Sequence, residues 1–231
     1  MHIRDLTQFL AELADNNNRA WFVMNKPRYD ILRAELLELV VKLIRDISKF
    51  DPAVADCNPK KALFRINRDM RFSREKIPYK THFSAAINAS NLKKPSQGGG
   101  PTYYFHIDQT GTLLFAVGEY MPPPDRLRAI RQHVIDDAAG FTKTLKNKRL
   151  KQSYGDLQTE GKLTRPPKGF DADTPHIEYL KLKSFIVWRE VEAMQVADTL
   201  EQTLLAGFRD AYPLVTWLRN AGDAARQSAA K

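Results

Sequence analysis

Residues 103–120 read YYFHIDQTGTLLFAVGEY. Apolar and polar side chains alternate over Tyr103–Ile107 and resume over Thr112–Tyr120, the two-residue period of a strand with one buried face. Asp108-Gln109-Thr110-Gly111 lies between them, so the stretch predicts an antiparallel hairpin with a longer than minimal turn. This hairpin anchors a sheet, and the rest of the chain is arranged around it.

Upstream, the period is helical. Leu6, Phe9, Leu10 and Leu13 share one face, with Asp5 or Thr7 as a cap and Asn16-Asn17-Asn18 as a stop. A second helix starts near Asn18 and carries Trp21 and Phe22, and Pro27 interrupts the pattern. From Tyr29 to about Phe50 the residues Ile31, Leu32, Leu36, Leu39, Val40, Leu43, Ile44 and Ile47 form a wide apolar stripe, closed by Asp51-Pro52. Strands are then expected over Leu63–Asn67 and His82–Asn88, with an irregular connection over 68–80 and a loop over Asn88–Pro101 tipped by Gly98-Gly99-Gly100.

Downstream of the hairpin, Pro122-Pro123-Pro124 precedes a helix over about 125–138 that continues to about Lys146. Residues 147–174 are basic, polar and rich in Gly and Pro, and read as a long surface loop. A short helix near 175–180, a strand over Ser184–Val191 and an amphipathic helix over about 194–221, interrupted by Pro213, complete the chain. This order predicts an α+β fold, a mainly antiparallel sheet packed with N-terminal and C-terminal helices. No repeat and no shift of composition divides it, so a single domain is expected over 1–223, with a frayed tail over 224–231.

The chain has 231 residues and 43% hydrophobic residues, ordinary for a protein that builds a core. Lys and Arg number 36 against 27 Asp and Glu, a formal charge of +9. That excess favours an anionic small molecule or a nucleic acid as partner, and it does not bear on fold. The single cysteine, Cys57, excludes an intramolecular disulfide and a cysteine-based metal centre. No apolar run is long enough for a membrane span and the N-terminus lacks the apolar core of a signal peptide, so a cytoplasmic protein is expected. Composition leaves the oligomeric state open.

The charge is concentrated in Phe64–Phe83, FRINRDMRFSREKIPYKTHF. Six basic residues (Arg65, Arg68, Arg71, Arg74, Lys76 and Lys80) face two acidic ones (Asp69 and Glu75), a net +4 of the chain's +9. Phe64, Phe72, Tyr79 and Phe83 interleave them, which marks a folded surface rather than a solvated tail. Guanidinium forks suit bidentate contact with phosphate or carboxylate, and lysines add compact charges. Segment 65–82 is therefore a candidate anion site of phosphate or nucleotide type, clamped by Arg65, Arg68, Arg71, Lys76 and Lys80. Two other readings stay open: a nucleic-acid-binding surface, helped by the basic run Lys143–Lys151, and a structural or interaction domain whose arginines pair internally with Asp69, Glu75, Glu119 or Asp171.

Candidates for proton transfer are His82, Tyr79 and Glu119. His82 and His106 lie in strand-like segments, and adjacent strands would bring them to one face as an acid–base or metal pair. The alternative for each is a histidine held by hydrogen bonds in a sheet. There is no H-E-x-x-H, no Cys-His cluster, no P-loop and no nucleophile elbow; no metal site or cofactor is indicated and no reaction is specified.

The same segment resembles the signature of domain of unknown function family 2461. The resemblance rests on Arg65, Arg68, Asp69, Arg71, Phe72, Ser73, Lys76, Pro78, Tyr79 and Lys80, and extends to Gly118, Tyr120 and Pro122 and to Lys168, Gly169, Phe170 and Asp171. FLAELADNNNRAWF near the N-terminus and HIEYLKLKSF after the long loop are similar to further blocks of that family. Together these cover about Leu6 to Glu190. The chain departs from the pattern with Asn67, Glu75 and Thr174, where an aromatic, Asp and His are common. The resemblance implies an α+β single-domain protein and assigns no activity.

Overall fold

A computed structural model describes residues 1–69, 71, 77–91 and 99–228, with side chains as far as 221. Lys76, Arg74, Gly98 and the end of the expected tail lie outside the described residues. The architecture is α+β: a four-stranded antiparallel sheet in the order β1-β2-β3-β4, flanked by helices from both ends of the chain. The strands are β1 (His82–Ile87), β2 (Thr102–Asp108), β3 (Thr112–Glu119) and β4 (Phe185–Glu192). Among the described residues no helix is long and apolar enough to cross a membrane.

The hairpin forms as its pattern requires. Tyr103, Phe105 and Ile107 of β2 and Leu113, Phe115 and Val117 of β3 are buried, while Tyr104, His106 and Asp108 stand half-buried on the other face. The Asp108 carboxylate closes the turn, accepting from the Thr110 and Thr112 amides at 2.9 and 3.1 Å. At the far end of β3, Gly118 has φ +127°, and a Cβ placed on it would lie 2.1 Å from the Phe185 carbonyl oxygen of β4. Only glycine admits this backbone at that approach.

Contacts divide the chain into two compact units, and all strands except β1 contribute to both. The first comprises Met1–Ile87, Tyr104–Phe115 and Glu190–Ala206. Its helices are α1 (Ile3–Asp15), α2 (Arg19–Met24), α3 (Lys26–Ile47) and α4 (Pro59–Ala62). Leu6, Phe9, Leu10 and Leu13 of α1 are fully buried, a stripe in which each residue contributes about 1.5–3 kcal/mol. Asn18 caps α2 by accepting from the Trp21 amide at 3.0 Å. Pro27 sits in the first turn of α3, where no intrahelical amide partner is lost, so it opens the helix instead of interrupting it. Phe9, Phe22, Tyr29, Tyr79 and Phe83 form a continuous aromatic cluster. Cys57 is buried in this unit.

The second unit comprises Asn88–Tyr103, Ala116–Arg189 and Gly207–Lys231. Its helices are α5 (Pro124–Asp136), α6 (Ala138–Leu145), α7 (Lys148–Tyr154), α8 (Ile177–Leu180) and α10 (Tyr212–Ser228), with α9 (Leu200–Asp210) entering it from the first unit. Helix α10 packs on α5 and α6, with Trp217 stacked on His133 at 4.6 Å and donating from Nε1 to Asp137 at 3.0 Å. Two expectations change. Residues 147–174 are not all loop, because Asn147 caps α7 through the Arg149 and Leu150 amides and Gly155 ends it at φ +80°. Leu63–Asn67 is extended but makes only isolated bridges, Leu63 to Ala85 and Asn67 to Tyr79.

Candidate anion site

Those two bridges shape the basic segment. The Phe64 amide donates to the Ser84 carbonyl at 3.0 Å, laying the chain along β1. Two residues on, Lys80 N–H reaches the Ile66 carbonyl and Arg68 N–H the Pro78 carbonyl, both at 2.8 Å. Pro78–Lys80 therefore runs antiparallel beside Ile66–Arg68. Asn17 holds the return arm: its amide group donates to the Tyr79 carbonyl at 3.1 Å and accepts from the Tyr79 amide at 3.0 Å. The Tyr79 ring is buried and stacks on Phe22 at 4.1 Å, which makes this residue an anchor of the core. The proton-transfer role expected of Tyr79 has no support in this placement.

On the outer side the cations converge. Ile66 is buried, Phe64 is half-buried and Arg65 is exposed, as the alternation requires; Arg68, past the end of that pattern, is exposed as well. Arg68 Nε donates to the Tyr79 carbonyl at 3.1 Å, which fixes the base of its guanidinium. Lys80 Nζ stands 5.2 Å over the Phe64 ring, a cation–π placement. Burial, followed by the charges of Arg65 and Arg68, pushes the Lys80 ammonium below its usual range. Among the described residues no carboxylate forms an ion pair with Arg65, Arg68 or Lys80. Arg71 differs: its fork binds Asp69 in a bidentate pair at 3.0 and 2.7 Å, and the pair is exposed. Arg71 holds the Asp69 carboxyl well below the usual carboxylate range, with Arg65 a lesser contributor.

The histidines do meet. His82 on β1 and His106 on β2 lie on one sheet face with ring centroids 5.4 Å apart. Burial pushes the His82 imidazole down to about 4, helped by His106, Lys80 and Arg68 and opposed by Asp108. Burial also lowers His106, against the pull of Asp108 and Glu190. Both rings are therefore neutral at pH 7. Tyr104, which the sequence did not single out, completes the cluster. Its hydroxyl is 3.1 Å from His106 Nδ1, it is hydrogen-bonded by Ser84, and its ring meets Phe64 edge-on at 6.1 Å. The signal was present, since Tyr104 has the same parity as His106 along β2, but its use depends on the partner strand. Among the described residues no three His, Cys, Asp or Glu side chains group as metal ligands.

Glu119 is placed otherwise than a general base would be. It is buried at the end of β3 and bound by Arg126 through Nε at 3.0 Å and Nη2 at 2.5 Å. Arg126 Nη2 also donates to the Leu218 carbonyl at 2.6 Å. The pair is an internal tie of the second unit, the alternative that the sequence left open for an arginine partner.

The chain belongs to the family described as conserved hypothetical protein (DUF2461), whose family-wide pattern matches residues 5–217. The resemblance carried by the basic segment thus extends over nearly the whole chain. No curated protein and no solved structure matches it.

Proposed function

We propose that this member of the family binds a small anion of phosphate type between Arg65, Arg68 and Lys80, against the sheet face that carries His82 and His106. One observation carries the reading. Arg65, Arg68 and Lys80 gather at one place with no ion-paired carboxylate among the described residues, and burial, followed by the charges of the two arginines, depresses Lys80. Gathering like charges is unfavourable unless something anionic joins them. Two guanidinium groups and an ammonium match the oxygens of a phosphate, and the Phe64 and Tyr104 rings offer an apolar wall to whatever the phosphate is esterified to. Arg71, engaged with Asp69, borders the site without being part of the clamp.

A second reading concerns nucleic acid. Lys143, Lys146, Lys148, Arg149 and Lys151 are exposed along α6 and α7, and Arg149 and the three lysines nearest it make no ion pair among the described residues. This face suits a phosphodiester backbone and would act through charge alone.

A thermal-shift screen of phosphate esters, nucleotides and short oligonucleotides separates these readings, run on wild type, Arg65→Ala and Lys80→Ala in phosphate-free buffer. The proposal expects a phosphate ester to stabilise wild type and to lose that effect in both variants. Stabilisation by oligonucleotides alone, undiminished in the variants, would move the function to the α6–α7 face.

A further inference from the structure

We propose that His82 and His106 act as a base and acid pair that hydrolyses an aryl or nucleoside phosphodiester held by Arg65, Arg68 and Lys80; this rests on the anion reading above. The geometry points to it in three ways. Two imidazoles 5.4 Å apart on one face can both reach a single phosphoryl group. Their surroundings separate their roles. Burial above all keeps His82 neutral, as a base must be, and His106, Lys80 and Arg68 add to this against Asp108. Burial lowers His106 too, but Asp108 and Glu190 oppose it, and a bound anion adds its charge on their side, toward the protonated form. Finally, Tyr104 is a positioning residue. When the protonated His106 donates from Nδ1 to the Tyr104 hydroxyl oxygen, the proton on the other ring nitrogen stays free to be delivered.

A diester fits this pair better than a monoester. Transfer from a monoester passes through a loose transition state that needs little activation of the nucleophile. A diester needs its attacking water deprotonated and its departing alkoxide protonated, one task for each ring. In the step, a water oxygen bonds to phosphorus while His82 takes its proton. The bond from phosphorus to the leaving oxygen breaks, and that oxygen takes the proton of His106. The products are a phosphomonoester and an alcohol, with no change of oxidation state; solvent then resets the two rings. The charge that builds on the non-bridging oxygens meets Arg65, Arg68 and Lys80. Phe64 and Tyr104 receive the aromatic ester group.

The test uses the full chain, with bis(p-nitrophenyl) phosphate as substrate and diphenyl phosphate as a slowly cleaved binding probe. Release of p-nitrophenolate is expected to be bell-shaped in pH with its optimum below neutrality, because the imidazole that must be protonated titrates below its usual range. His82→Gln and His106→Gln are each expected to lower kcat by about 10²-fold or more, while the Kd for diphenyl phosphate changes by less than about threefold. Tyr104→Phe is expected to move the alkaline limb of the profile and leave KM in place. Binding of diphenyl phosphate that Lys80→Ala weakens, with no turnover above the His82→Gln/His106→Gln double variant, would overturn the hydrolysis and leave the anion site standing. No binding of diphenyl phosphate by wild type would remove both. Wild type alone supplies the last result, so the outcome does not depend on any variant folding.

Discussion

His82 is the residue whose protonation reports the site. An ordinary histidine titrates near 6.5, and this one is held at about 4 by burial and by the charges around it. The folded state therefore binds fewer protons than the unfolded chain between those values. Stability is full above pH ~6.5 and falls as pH drops through 4, the reverse of a histidine that gains a carboxylate partner. Proton NMR of the imidazole resonances is expected to show His82 titrating near 4 in the free protein. It should also show a shift toward neutrality when phosphate is added, since a nearby anion favours the charged ring. The neighbouring cations can be tested in the same way. Lys80→Ala and Arg65→Ala are each expected to weaken phosphate-ester binding by about tenfold or more, the scale of a lost charge-assisted hydrogen bond, measured by calorimetry. Arg71→Ala is expected to change that affinity by less, because its fork already holds Asp69.

At the scale of elements, what the sequence could show depended on how local each signal was. The hairpin, α1 and the apolar stripe of α3 were legible because periodicity within one segment decides them. Helix α7 was not, because it buries only Leu150 and its basic, polar composition resembles that of a loop. Its signals were the Asn147 cap and Gly155, read as loop residues. Leu63–Asn67 alternates as a strand does, yet the return arm at Pro78–Lys80 takes up its hydrogen bonds, leaving single bridges. The His82–His106 pair was legible as a condition on strand adjacency, while the pairing of Glu119 with Arg126 joins a strand end to a helix and has no local signature. Two substitutions test these joints. Gly118→Ala forces a methyl group against the Phe185 carbonyl at positive φ and is expected to cost at least about 2 kcal/mol in denaturant melts. Arg126→Met, which leaves Glu119 buried with its charge uncompensated, is expected to cost about 3–5 kcal/mol.

For the whole molecule, acid stability should decline in two stages. The first falls between pH ~6.5 and 4 as His82 is forced to take a proton, and His106, also held below its usual range by burial, adds to it. The second lies lower, where carboxylates held below their usual range by cations lose their charge: Asp46 with Arg45 and Lys49, Asp69 with Arg71, and Glu178, held at about 2 by Lys162 and Lys181. Added phosphate should protect mainly against the first stage, because only those groups face the proposed site. The charge of +9 enters at this scale too. It raises the encounter rate with any anion, and salt screens it; a specific phosphate site keeps its affinity better in salt than a backbone-tracking surface does. The central claim is that Arg65, Arg68 and Lys80 hold a phosphate beside the histidine pair. Its most direct measurement is an NMR titration of the His82 and His106 ring resonances with inorganic phosphate, on wild type and Lys80→Ala. Both histidines should shift saturably in wild type, with a weaker response in the variant. Ring resonances that stay in place, while phosphate perturbs residues elsewhere or none at all, would contradict it.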